Sequence, residues 1–184
     1  MRNVLFVISG PSGVGKGTIA KILTDKHNLS LSISCTTRCP RVGEVDGVSY
    51  FFISKEDFKS KISENAFLEY SEHFDNFYGT PKAFVMDKLK TNDVLLEIDV
   101  NGALDVKKSY PEAILIMITP PSVEELKNRL IGRGTESLEK IESRISRVKY
   151  ELQKQDEYDY VVVNDNLDDA VNEILNIIQT EKTK

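Results

Sequence analysis

The sequence predicts an α/β protein: a three-layer α/β/α sandwich around a central parallel sheet, with a small α+β insertion and a charged helical pair. Three observations carry this. Short apolar, β-branched-rich runs at 4–9, 94–99, 113–119 and 160–163 alternate with helical stripes; a parallel strand covered on both faces reads as a continuous apolar run. The first run ends in a glycine-rich loop that opens a helix, the context of a phosphate-binding loop (P-loop). Residues 35–80 then break the rhythm with nine aromatic residues, from Tyr50 to Tyr78.

Taken in order, Val4 to Ser9 is a buried strand stopped by Gly10, and Ile19, Ala20, Ile22 and Leu23 form the apolar stripe of the helix that follows. In the insertion, Ser54 with Asp57 three residues on marks a helix start. Val94 to Asp99 is a second core strand, followed by a helix from near Asn101-Gly102. Ala113 to Thr119 is a third, and Pro120-Pro121-Ser122 opens a helix with Glu124 and Glu125 in its first turn. Lys127 to Lys154 reads as two charged helices joined through Gly132-Arg133-Gly134, whose glycines permit a hinge. Tyr160 to Val163 is the last strand, ended by Asn164-Asp165-Asn166; Ala170 to Ile178 carries an amphipathic helix, and residues 180–184 are expected to fray. The division expected from this is a core of 1–33, 81–125 and 158–184, an inserted subdomain of 34–80 and a lid of approximately 126–157.

With 184 residues, 40% of them hydrophobic, one domain can bury a core without staples. A net charge of -5 argues against a nucleic-acid-binding surface, which would be basic. No stretch reaches the ~20 apolar residues of a membrane span, and the N-terminal apolar run is too short for a signal peptide, so a cytoplasmic protein is expected. Cys35 and Cys39 are too few for a disulfide framework and have no ligand cluster with His27 and His73; plain thiols are expected.

The stretch Gly10-Pro11-Ser12-Gly13-Val14-Gly15-Lys16-Gly17-Thr18 meets the phosphate-loop pattern through Lys16. Glycines at 10, 13 and 15 let successive N–H groups point at an anion, the helix beyond adds its dipole, and Lys16 supplies a mobile positive charge. The pattern next asks for a Ser or Thr hydroxyl toward Mg²⁺, but Gly17 stands there and Thr18 comes one place later. Mg²⁺ is then expected to be held mainly by the bound phosphates and water, with Thr18 the one candidate protein hydroxyl.

A second constellation lies in the insertion. Arg38 and Arg41, in a loop three residues apart, suit a two-pronged grip on a phosphate. Tyr50, Glu69, Tyr78 and Thr80 add a carboxylate, two phenols and a hydroxyl. A guanine edge offers N1–H and N2–H donors that Glu69 can accept, and its O6 and N7 can accept from Ser34 and Thr80. Glu97 and Asp99 sit together at a strand's C-terminal end, where doubly wound sheets bind ligands.

These stretches, SGPSGVGK, SISCTTRCPRVGEVDGVSYFFIS, FYGTP, LLEIDVNGA, PPSVEELKNRLIGRGTES and VVVND, resemble the guanylate kinase family over nearly the whole chain. The resemblance implies transfer of the γ-phosphoryl group of ATP to GMP, with dGMP as a further acceptor, on a P-loop fold with an inserted GMP-binding subdomain and a helical lid. It implies that Ser34, Glu69 and Thr80 read guanine and that Arg38, Arg41, Tyr50 and Tyr78 hold its phosphate. Glu97 and Asp99 would lie near GMP and the water shell of Mg²⁺; family members often carry Asp at the first of these positions, and Gln where Asn101 stands. Lys16, Arg133 and Arg144 would surround the ATP phosphates, and Asn164 would approach adenine. ATP and GMP are the expected partners, with monomer and homodimer both open.

Other readings stay in view. Taken alone, Arg129, Arg144 and Arg147 read equally as solvated helix charges. The GKGT ending suits a different nucleoside monophosphate kinase, and a non-catalytic guanylate-kinase-like module would keep the arginines and tyrosines of the insertion. Retention of Lys16 and of the lid arginines favours an active enzyme.

Overall fold

The computed structural model describes residues 2–73, 75–132 and 138–184. Five strands form one all-parallel sheet: β1 (Leu5–Ser9) at the centre, flanked by β7 (Val94–Glu97) and β8 (Ile114–Thr119), with β2 (Ser30–Leu31) and β9 (Tyr160–Val163) at the edges. Successive side chains of a strand face opposite ways, and the apolar runs divide accordingly. Phe6, Ile8, Leu95, Ile116 and Ile118 enter one core; Leu5, Val7, Val94, Leu96 and Leu115 enter the other. The expected three layers follow. The first core is closed by α1 (Lys16–His27), α5 (Val123–Gly132), α6 (Leu138–Leu152) and α7 (Leu167–Thr183), the second mainly by α4 (Val100–Ser109) and α3 (Lys82–Lys88).

The insertion builds a second, mixed sheet in the order β4 (Phe51–Phe52), β3 (Cys35–Thr36), β6 (Asn76–Pro81), β5 (Phe67–His73). Helix α2 (Lys55–Ser63) covers it, and the Ser54 side chain accepts from the Asp57 N–H, as its spacing predicts. The aromatics form its core: Phe58 stacks on Phe67 at 4.4 Å and on Phe77 at 5.3 Å between ring centroids. Cys35 is buried here and Cys39 exposed, both free thiols.

Three details differ from the sequence reading. The strand from Val94 ends at Glu97, because Asp99 turns to cap α4, which begins at Val100. Helix α3 gave no signal: Pro81 stands at its N-cap without a capping side chain, and Val85 is its one buried residue. The C-terminal residues do not fray. Helix α7 starts one turn ahead of the apolar stripe, where Asn166 caps the N–H groups of Asp168 and Asp169, and it continues to Thr183. Lys182 reaches the buried Asp93 at 2.6 Å, and Asp93 also accepts from the Val4 N–H at 2.9 Å. No helix among the described residues is long and apolar enough to cross a membrane.

Candidate active site

Strand β1 delivers Gly10 and helix α1 begins at Lys16, so residues 10–15 wrap the N-terminus of that helix. Gly10 has φ +141, and a Cβ there would lie 2.1 Å from the Ile118 carbonyl oxygen, so only glycine fits between the loop and β8. Gly15, the N-cap, is left-handed at φ +97 and offers no capping side chain, which leaves the first helical N–H groups for an anion. Pro11 and Val14 are buried, Gly13 is partly so, and Ser12 is exposed.

Lys16 folds back over this loop, its Nζ donating to the carbonyls of Gly10 at 2.6 Å and Pro11 at 2.9 Å. Burial lowers its pKa, opposed by the negative charges of Glu97, Glu151 and Asp99. The ammonium is thus parked at the loop's rim on weak neutral acceptors, which a phosphate can replace. Gly17 and Thr18 are exposed. A Cβ on Gly17 would meet Glu97 Oε1 at 3.5 Å, ordinary contact, so the missing side chain leaves room without requiring it. Protein packed around the Glu97 carboxyl raises its pKa, and Lys16 pulls it back.

Asn164, expected near adenine, directs its side-chain amide to the Val14 carbonyl at 2.7 Å, while its backbone N–H donates to Thr119. It is 7% exposed and braces the loop from β9.

A cleft of about 210 Å³ opens between the small sheet and the C-terminal end of β7. Ser34, Tyr50, Glu69, Tyr78, Glu97 and Asp99, all expected site residues, line it together with Ser71, His73 and Ile98. Glu69 is its buried acid. Thr80, fully buried, donates to Glu69 Oε1 at 2.6 Å, and desolvation raises the carboxyl pKa to about 7 despite that bond. Tyr50 and Tyr78 meet edge to face at 6.2 Å.

Arg38 is not in this wall. Its guanidinium forks onto Glu44, at 3.0 Å and 2.8 Å, and lies 5.5 Å from the centre of the Tyr50 ring. The Glu44 bonds raise the Arg38 pKa further, and Arg38 in turn lowers that of Glu44. Glu44 also accepts from the Arg41 N–H at 2.7 Å, fixing the turn that carries both arginines, while the Arg41 residue is exposed.

A second cleft of about 480 Å³ lies beyond Asp99, lined by Ser12 of the loop and by Arg144, Arg147, Val148 and Glu151 of α6, with His73 and Asp99 in the shared wall. Arg144 therefore stands beside the phosphate loop as expected; Arg133 lies outside the described residues. Sequence reasoning missed His73 and Glu151 and left Arg147 as a solvated helix charge. Their signals were periodic: His73 shares a strand face with Glu69 and Ser71, and 144, 147, 148 and 151 share a helix face.

A parallel sheet with a phosphate loop at its central strand, set beside an acid- and hydroxyl-lined cleft, defines a P-loop phosphotransferase of the nucleotide-kinase type. The family model described as guanylate kinase matches residues 2–181. A guanylate kinase of Caldanaerobacter subterraneus subsp. tengcongensis is 55% identical over 100% of this chain and 90% of its own length, and one of Clostridium tetani 52% identical over 100% and 88%. The crystal structure of guanylate kinase from Anaplasma phagocytophilum superposes with a TM-score of 0.78 at 34% identity, covering 100% of this chain and 88% of that one. The chain belongs to the guanylate kinase family.

Proposed function

We propose that the two clefts divide the work of one reaction, with GMP taken by the small sheet and the ATP phosphates by the glycine loop and α6. The activity is that of the family: ATP-dependent phosphorylation of GMP, giving ADP and GDP. The observation that supports the division is Glu69, a buried acid backed by Thr80, in a cleft that shares His73 and Asp99 with the cleft beside the loop. An acid taken out of water must be neutralised or met by donors, and the N1–H and N2–H of guanine are two donors side by side. Ser34 would serve the acceptor atoms of the base, while Thr80, expected beside it, spends its one proton on Glu69 from behind the cleft wall and would instead orient that carboxylate. Tyr50 and Tyr78 would bind the GMP phosphate, with Arg38 and Arg41 swinging from the Glu44 turn onto it.

Phosphoryl transfer asks the protein for positioning and charge neutralisation, since the attacking oxygen belongs to GMP. The loop N–H groups and Lys16 would hold the β- and γ-phosphates, with Arg133 and Arg144 closing from the lid side. The oxygen donors present, Glu97 and Asp99 carboxylates and the Thr18 hydroxyl, suit Mg²⁺, and the absence of a side chain at Gly17, in contact distance of Glu97, favours its waters there. Mg²⁺, carried on the ATP phosphates, would supply neutralisation of charge on the transferring group. Glu97 and Asp99 would orient its water shell, and Asn164 would act on the ATP side through the loop it braces. The lid of approximately 126–157 closing on the subdomain of 34–80 would exclude water and suppress ATP hydrolysis. We place the reaction in the cytoplasm, where both nucleotides are found.

The test is a coupled assay of ADP formation with GMP, AMP, CMP and UMP as acceptors. GMP should be preferred by orders of magnitude, and Arg41→Met should raise the KM for GMP and lower turnover. Equal use of AMP would reject the base-reading assignment, and unchanged kinetics in the Arg41 variant would reject its role.

A further inference from the structure

Three parts of the molecule converge on one oxygen. Asp99 caps α4 through Oδ1, which accepts from the Gly102 N–H at 2.8 Å. Its Oδ2 faces the clefts, with His73 Nε2 at 3.3 Å and an Arg147 guanidinium nitrogen at 3.8 Å. His73 ends strand β5 of the small sheet, Arg147 belongs to α6, and Asp99 follows β7 of the core sheet. Arg147 also holds Glu151, one turn on, at 2.8 Å from its Nε. The guanidinium is therefore stretched between two acids.

Each of these contacts is partly exposed, so its contribution to stability is small. Their geometry matters more. Both clefts share His73 and Asp99 in their walls, so Asp99 Oδ2 marks the boundary across which the phosphoryl group must pass. A misplacement of about 1 Å at such a boundary costs on the order of a hundredfold in rate.

We infer that His73 and Arg147 are positioning residues for phosphoryl transfer: with Asp99 they form a polar clasp that registers the small sheet and helix α6 against each other across the boundary of the two clefts. The inference rests on the assignment of those clefts to GMP and to the ATP phosphates. Neither residue touches a reacting atom; both act through the Asp99 carboxylate.

Steady-state kinetics of the full chain test this with His73→Val, Arg147→Gln and the double variant. Glutamine keeps an amide donor within reach of Glu151, so that buried acid is not stranded. Each single variant should lose about five- to tenfold in kcat while the KM for either nucleotide moves less than about threefold. The double variant should be no slower than the worse single one, because both act through one oxygen. Arg147→Lys should recover most of the loss, and the variants should release more ADP than GDP as water enters the loosened site. The clasp is overturned if both single variants keep kcat within about twofold, or if their losses multiply. It is also overturned if only KM changes, since that marks direct nucleotide contact. An inactive wild-type chain would instead reject the division of the clefts, a result distinct from any of these.

Discussion

Asn164 donates its side-chain amide to the Val14 carbonyl at 2.7 Å, joining the last strand's end to the phosphate loop across 150 positions of sequence. The same side chain fills the space beside Gly15, where a Cβ would lie 2.6 Å from its Nδ2. The loop is thus held from behind by a residue with no need to touch nucleotide.

Replacing Asn164 with Ala strands a buried carbonyl, which costs about 1–3 kcal/mol. The expected outcome is a lower denaturation midpoint together with a raised KM for ATP and little change in the KM for GMP. Denaturant titration and two-substrate kinetics read these separately. An Asn164→Ala variant with wild-type stability would show that the bond carries no weight.

Glu69 gives the site its pH dependence. Burial holds its pKa up at about 7, so the carboxylate that accepts from guanine forms only as pH rises through that value. The KM for GMP should fall between roughly pH 6 and pH 8. In Glu69→Gln that step disappears, leaving only the titration of the GMP phosphate near ~6. Stability runs the other way. The folded chain keeps this proton where the unfolded chain has lost it, so stability falls from about pH 4.5 to about pH 7. Glu69→Gln should therefore stabilise the empty protein more at high pH than at low, by on the order of 2–3 kcal/mol. Melts of both proteins across that range check it; parallel curves would reject the buried-acid account.

Lys16 and Gly17 should separate sharply. Lys16→Met removes the cation over the loop and is expected to lower kcat/KM for ATP a hundredfold or more, about 2.7 kcal/mol. Gly17→Ser adds a side chain at ordinary contact distance from Glu97, and activity should stay within about tenfold. A collapse of activity in the serine variant, measured at saturating Mg²⁺, would mean the space is needed by the metal's waters.

Gly10→Ala should disturb folding before chemistry. The added methyl would overlap the Ile118 carbonyl oxygen at 2.1 Å, and backbone cannot step aside as a side chain can. A fall in melting temperature seen without nucleotide, together with weakened ATP binding, is the expected signature. An unchanged melt would show that β8 yields more readily than its packing implies.

Much of this was legible in the residues. Strands β1, β8 and β9 and the helices around them followed from apolar runs with two-sided burial, and the Ser54 cap from its spacing to Asp57. Ser34, Glu69, Tyr50 and Tyr78, read from the residues as GMP ligands, do share a cleft, with Thr80 buried behind Glu69. What escaped was decided by three-dimensional neighbours. The Arg38 side chain reads as a phosphate ligand, and no local pattern reports that it pairs with Glu44. Asn164 reads as a loop residue beyond a strand, and no local pattern reports that its partner is Val14. Helix α3 is too short and too weakly capped to declare itself, whereas the end of α7 is held by Asp93, a residue remote in sequence.

The crowding of Gly10 against Ile118 and of Gly15 against Asn164 bears on how such chains diverge. Gly10 is demanded by the Ile118 backbone and Gly15 by its left-handed φ, so a descendant that abandoned catalysis would still be pressed to keep both in order to fold. Lys16 is held by two loop carbonyls and by the charge of nearby acids, and no steric demand of this kind falls on it. In a lineage released from selection for phosphoryl transfer the lysine should drift first, and its survival among intact glycines distinguishes a working member from an inherited shell.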